Sequence, residues 1–146
     1  MKDMFRLDGK VAIVTGGAGG IGEALALGLG YQGATVVVSS RNQEAIDAVA
    51  EKISAETGSE AVAVAADVTD EASIQALVDT VVDKFGKIDI LVNAMGMNIK
   101  RDAFDYPLED WDKLFEVNVK GTMAACKAVG KVMRDQQGGA IVNLSS

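Results

Sequence analysis

The sequence has 146 residues, of which 49% are hydrophobic and 24% charged, with 16 glycines and one proline. That mixture can bury one core and excludes disordered, collagen-like and low-complexity chains. With 14 Lys+Arg against 21 Asp+Glu, the formal charge is -7, so no basic footprint exists for a nucleic acid or an anionic membrane surface.

Val11, Ala12, Ile13 and Val14 form a short run between Lys10 and Gly16-Gly17, the pattern of a strand covered on both faces. From Gly20 to Tyr31 the apolar positions Ile21, Leu25 and Leu29 recur at helical spacing, and Gly33 closes the helix. A second β-branched run covers 35–39. Asn42 then caps a helix with Ile46, Val49 and Ile53 on one face, which stops at Gly58. Residues 61–66 read as a third strand, weakened by its alanines. Thr69 or Asp70 starts a helix with Ile74, Leu77, Val78 and Val81 inward, ending at Gly86, and 88–92 form a fourth strand. The fifteen residues after Val92 hold Gly96 and Pro107 and are the longest irregular stretch, a length usually tied to function or mobility. Helical patterns over 108–119 and 122–134 precede Gly138-Gly139 and a fifth strand at 140–144. Strands separated by helices mean right-handed βαβ crossovers and a parallel sheet.

The single cysteine, Cys126, forbids an internal disulfide and suits a reducing, cytoplasmic setting. With no histidine and one cysteine, neither a zinc site nor a Ser-His-Asp triad can be built, and no metal is expected. The first six residues carry an early acid and no apolar run, unlike a signal peptide, and no stretch approaches the roughly 20 apolar residues of a membrane span.

Thr15, Gly16, Gly17, Ala18, Gly19, Gly20, Ile21 and Gly22 lie between the first strand and the first helix. Glycines there let the backbone turn tightly and approach a pyrophosphate, while the helix N-terminus offers free N–H groups and a positive dipole end. Two registers fit, Gly17-x-Gly19-x-x-Gly22 and the longer Thr15-Gly16-x-x-x-Gly20-x-Gly22. The plain alternative is a flexible connector. Further motifs follow in order: Asp67-Val68 after the third strand, Asn93-Ala94-Met95-Gly96 after the fourth, Asn118-Val119-Lys120-Gly121 between the last two helices, and Asn143-Leu144-Ser145-Ser146 after the fifth strand. Each falls where an open α/β sheet places its ligand.

With the longer glycine register, this series resembles the short-chain dehydrogenase/reductase family over the whole chain, and parts of 97–101 are similar to gluconate 5-dehydrogenase-like members. The resemblance implies an α/β fold: a Rossmann-like doubly wound parallel sheet of five strands in the order 3-2-1-4-5, one dinucleotide-binding domain over 1–146, without the family's later strands and helices. It also implies that Gly16, Gly20 and Gly22 hold the cofactor diphosphate, with Gly17, Ala18, Gly19 and Ile21 completing the loop. Asp67 would bond the adenine amino group beside Val68, or serve only as a turn or capping acid. Asn93 and Gly96 would flank the cofactor ribose, but the family's Asn-Asn-Ala-Gly is here Asn93-Ala94-Met95-Gly96, which removes one amide and adds bulk at Met95. Asn118 matches the catalytic asparagine, which bends its helix and holds a water of the proton relay; its alternative is a buried amide serving the helix. Ser146, in preference to Ser145, would donate to the substrate carbonyl as charge develops on its oxygen.

The family's Tyr-x-x-x-Lys pair is not among these residues, since Tyr31 is followed four positions on by Thr35 and Tyr106 by Asp110. The expectation is therefore the N-terminal part of an enzyme that moves a hydride between a nicotinamide cofactor and an alcohol or ketone, inactive as 146 residues alone. A non-catalytic dinucleotide-binding module is the rival. After the second strand stand Ser40 and Arg41 in place of an acid, which favours NADP over NAD, because guanidinium forks onto phosphate oxygens; otherwise Arg41 is simply solvated. Lys100 and Arg101 would steer an anionic substrate or belong to an ordinary surface loop. The 122–134 helix matches one that family members pack across a two-fold axis, implying a homodimer or homotetramer, with Cys126 as a small buried apolar residue.

Overall fold

Each apolar run becomes a strand, and every neighbouring pair runs parallel in the order β3-β2-β1-β4-β5. The structure, a computed structural model, describes residues 4–145. In chain order the elements are β1 (Val11–Thr15), α1 (Gly20–Tyr31), β2 (Thr35–Ser39), α2 (Gln43–Thr57), β3 (Ala61–Ala63), α3 (Glu71–Phe85), β4 (Ile90–Asn93), α4 (Leu108–Phe115), a π-helical segment (Glu116–Gly121), α5 (Thr122–Asp135) and β5 (Ala140–Asn143).

The strand period of two divides the core between the sheet's faces. Val11, Ile13, Val37 and Leu91 pack against α3 and α5 on one side. Ala12, Val14, Val36 and Val38 pack against α1 and α2 on the other. β1 is buried along its whole length because it is covered on both faces and paired on both edges. Local chemistry sets the helix ends. Asn42 Oδ1 accepts from the Ala45 N–H at 3.1 Å, and Asp70, not Thr69, caps α3 through the Ala72 N–H at 2.9 Å. Gly58 and Gly86 end α2 and α3 with φ of 73° and 77°, the left-handed conformation that glycine enters without a Cβ penalty.

Three expectations are corrected. In α1, Ile21 and Leu25 are 67% and 37% exposed, and the buried residues are Gly22, Ala26 and Gly30. The helix lies so close that a Cβ on Gly30 would stand 2.8 Å from Ile53 Cγ2, so small residues, not leucines, make its inner face. β3 ends at Ala63 instead of Ala66, although Val64 and Ala66 still donate to the Val38 and Ser40 carbonyls. The two helical patterns of 108–134 join into one rod through the π segment, which takes up the extra residue that an α-helical register cannot hold.

At the opposite end of the sheet from the glycine loop, Asp89 ties β1 to β4. Its carboxylate accepts from the Val11 N–H at 2.9 Å and pairs with Lys87 and Lys10 at 3.0 and 3.4 Å. Burial alone would raise its pKa, but the Val11 N–H and the two ammonium groups outweigh it and hold the carboxyl below its ordinary value. A carboxyl lowered on folding stabilises the protein above its unfolded pKa of about 3.9 and loses that contribution as pH falls through the lower folded value. Asp89→Asn is therefore expected to cost about 1 kcal/mol at pH 7, and the gap from the parent should close on acidification below about pH 4. Denaturant titrations at several pH values check this; two curves that stay parallel would contradict it.

Candidate functional site

β1 sits between β2 and β4, so the loops leaving β1 and β4 diverge above their C-terminal ends and open a crevice at that point. The two loops touch by backbone. The Ala94 N–H donates to the Thr15 carbonyl at 3.0 Å, and Gly16, at φ +71°, has Met95 Cα 2.6 Å from where a Cβ would stand. Gly17 and Gly22 also answer needs of the protein itself: their Cβ positions lie 2.5 Å from Val38 Cγ1 and 2.2 Å from the Gly16 carbonyl oxygen. Gly20 differs, because nothing lies within 4 Å of its Cβ position. That space adjoins the first turn of α1, whose N-cap Gly19 supplies no side-chain hydrogen bond. Open N–H donors and the positive end of the helix dipole make it a fitting seat for a diphosphate.

Two clefts share the wall formed by residues 94–97. The first, about 260 Å³, runs from Gly16 and Gly19 past Ser40 and Arg41 to Asp67 and Val68. The second, about 720 Å³, is bordered by Ile21, Asn118, Leu144 and Ser145. The exposure of Ile21 thus serves a cleft instead of the core. A ligand with two lobes joined through a diphosphate matches this pair of chambers, so the residues present fit a dinucleotide.

Asp67 borders the first cleft and makes a turn, as the second of its sequence readings expects. Its Oδ1 accepts from the Thr69 hydroxyl at 2.7 Å and the Thr69 N–H at 2.9 Å. Those bonds, hydroxyl first, hold the carboxyl below the ordinary range; burial opposes them and Arg41 adds a smaller pull. Oδ2 keeps its acceptor capacity. Three of the glycine-loop residues turn elsewhere: Gly17 backs onto β2, Ala18 packs against the α1–α2 core, and Gly22 lies under Gly16.

Asn93 is buried at 2% exposure and its amide points along the sheet. Its Nδ2 donates to Asn143 Oδ1 at 2.8 Å and its Oδ1 accepts from the Thr15 hydroxyl at 3.0 Å, so the side chain braces three strands and borders neither cleft. Cys126 is half-buried and belongs to this polar group, with Sγ 3.4 Å from Asn93 Nδ2 and 3.5 Å from Asn143 Oδ1. That corrects its reading as a purely apolar filler.

Asn118 lies in the π segment and is exposed, which overturns the buried-amide alternative. Its Oδ1 accepts from the Met97 N–H and its Nδ2 donates to the Met97 carbonyl, both at 2.9 Å. A two-point bond of this kind ties the long loop after β4 to the rod, and the π segment turns the asparagine toward it. Ser146 lies outside the described residues, and its neighbour Ser145 borders the second cleft. Arg101 is engaged by Asp110 at 3.2 Å. Sequence reasoning missed Met97 and Val117, whose apolar side chains carry no pattern of their own, and Thr69, for which the Asp67-x-Thr69 spacing was a usable turn signal.

A doubly wound parallel sheet with a glycine-lined crevice at its switch point defines a Rossmann-like α/β fold. The family model for short chain dehydrogenases matches residues 10–146, and the chain belongs to that family. It is 45% identical over 142 residues to a D-threitol dehydrogenase of Mycolicibacterium smegmatis, covering 97% of this chain and 54% of that protein. Among solved structures, a short-chain type dehydrogenase/reductase from Mycobacterium marinum superposes with a TM-score of 0.95 at 34% identity, covering 99% of this chain and 59% of that one. An NAD+-bound xylitol dehydrogenase superposes at 0.92 with 38% identity, covering 98% and 54%. The chain thus spans little more than half the length of the relatives it matches.

Proposed function

We propose that this chain is the cofactor-binding part of an NADP(H)-dependent oxidoreductase acting on a small alcohol or ketone. The observation that carries this reading is the pair of clefts meeting at the bare first turn of α1. Gly16, Gly19, Gly20 and Ile21 would hold the diphosphate, Asp67 and Val68 the adenine, and residues 94–96 the adjoining ribose. When bound, the nicotinamide accepts or gives the hydride. Asn118 would position the proton relay from the second cleft, with Ser146 as the carbonyl donor and the Tyr-x-x-x-Lys pair supplied from outside these 146 residues. The 146 residues alone are therefore proposed to bind cofactor without turnover, in a cytoplasmic setting that keeps Cys126 reduced.

Arg41 supports the choice of NADP. It borders the first cleft next to Ser40, and among the described residues its only partner is the long-range pull on Asp67, so its guanidinium donors remain available for a 2′-phosphate. The NAD+ in the solved xylitol dehydrogenase favours the second reading, NAD. Calorimetric titration with NADPH and NADH decides between them: tighter NADPH supports the first, tighter NADH the second, and no heat with either overturns the dinucleotide reading altogether.

A homodimer or homotetramer is part of the proposal. Along the rod of α4, the π segment and α5, Leu108, Trp111, Phe115 and Met123 stand 47–76% exposed, with Trp111 and Phe115 stacked at 4.9 Å. An apolar stripe of that kind marks an interaction surface. Light scattering should report an oligomer for the parent and a monomer for the Trp111→Glu/Met123→Glu variant; a monomeric parent would remove the idea.

A further inference from the structure

Gly121 is the last residue of the π segment and is buried. Its backbone lies at φ -61° and ψ -43°, ordinary helical values that alanine adopts more readily than glycine. Backbone freedom therefore does not account for a glycine here, and its surroundings do. A Cβ at this position would stand 2.9 Å from Val68 Cγ2, 3.1 Å from Val68 Cβ and 3.2 Å from the Val68 carbonyl oxygen. All of these atoms belong to one residue, which borders the first cleft beside Asp67. Val117 of the same π segment borders that cleft too.

Neither backbone at this contact is free to retreat. Asn118 holds the Met97 N–H and carbonyl, and the Thr122 hydroxyl donates to the Asn118 carbonyl, each at 2.9 Å. On the other side, the Asp67 N–H donates to Ser73 Oγ at 3.0 Å, and the Asp67 carboxylate holds Thr69. What can yield is the Val68 side chain, which is half-buried and packs on the α3–α5 side of the core. A single stiff torsion orients its isopropyl group, so yielding means leaving a favoured rotamer.

We propose that Gly121 is a positioning residue for the adenine of the dinucleotide: by carrying no side chain it lets the π segment seat directly on Val68 and fixes the rotamer that Val68 presents beside the ring. The inference rests on the dinucleotide reading above. It deepens that reading by giving the rod a part in both chambers, Asn118 in the second cleft and Gly121, through Val68, in the first. A methyl at 121 turns Val68 out of that rotamer and leaves the diphosphate seat at α1 as it is.

The test titrates the 146-residue chain with adenosine 2′,5′-bisphosphate and with NADPH by calorimetry, or with adenosine 5′-monophosphate and NADH if NADH is the tighter nucleotide. Gly121→Ala is expected to weaken both members of the pair by the same factor, about tenfold, because the change lies wholly in the adenosine half. Val68→Ala should weaken them about threefold by removing wall area. Adding Gly121→Ala to it should change affinity by less than about twofold, because the methyl then has no Cγ2 to meet. Thermal unfolding shows which variants fold. If Gly121→Ala alone does not, the double variant should, with the affinity of Val68→Ala; a double variant that stays unfolded overturns the proposal. Unchanged affinities in Gly121→Ala, the same loss in the Val68→Ala background, or a loss for the dinucleotide clearly exceeding that for its adenosine half would each overturn it as well. A parent that binds neither NADPH nor NADH would instead overturn the dinucleotide reading on which the proposal rests.

Discussion

Gly22→Ala is expected to destabilise the fold by about 3 kcal/mol and to abolish dinucleotide binding, whereas Gly20→Ala should remove most binding and leave the fold intact. The two glycines lie two residues apart in one loop, yet their surroundings are opposite. A methyl on Gly22 would stand 2.2 Å from the Gly16 carbonyl oxygen and 2.8 Å from its carbon. Both obstacles are backbone, so no side chain can rotate away, and either α1 must lift from the sheet or the Gly16 turn must open. Gly16 in turn is held against Met95, so the strain passes to the wall between the clefts. A methyl on Gly20 meets nothing within 4 Å, and alanine in place of glycine in a helix gains up to about 1 kcal/mol. Its expected loss of NADPH affinity, on the order of 100-fold, comes from filling the space beside the open N–H donors. Denaturant unfolding and calorimetry on both variants separate the effects. A Gly20→Ala protein that binds NADPH as tightly as the parent would show that no diphosphate sits at this turn.

The second large effect concerns the charge at the rim of the first cleft. Arg41→Asp is expected to weaken NADPH about 100-fold or more and to leave NADH within about threefold. The variant loses a forked, charge-assisted contact to the 2′-phosphate and places a carboxylate where that phosphate would stand. Asp67, the carboxylate on which Arg41 pulls, is already held by Thr69, so the substitution should not unfold the turn. The parent's NADPH affinity should also fall with added salt more steeply than its NADH affinity, because the extra interaction is between exposed charges. Unchanged NADPH binding in the variant would return Arg41 to the solvated surface and make NAD the cofactor.

Much of this architecture was legible from local pattern. The runs at 11–14 and 35–39 are β-branched and bounded by glycine or charge, and they became strands within a residue. Asn42, Gly58, Asp70 and Gly86 act within one helical turn, so their chemistry could be read without knowing the fold. Periodicity in α1 reports where the large apolar residues recur, whereas its buried face needs small ones where it presses on α2 and the glycine loop. The π segment was missed because its two flanking helices each obey the α period, and only their junction departs from it.

The order of the motifs, the bare glycine loop and the choice of Arg41 over an acid belong to the chain of residues alone, since each is a matter of which group stands where along the backbone. Contacts between distant segments belong to the folded state: Asn118 on the Met97 backbone, Asn93 turned away from the cleft toward Asn143, and the Thr15 hydroxyl against the Met95 sulfur. Their partners are 21, 50 and 80 residues apart. Spacing along a chain cannot report such meetings, because packing of the sheet and its crossover helices brings those residues within hydrogen-bond reach.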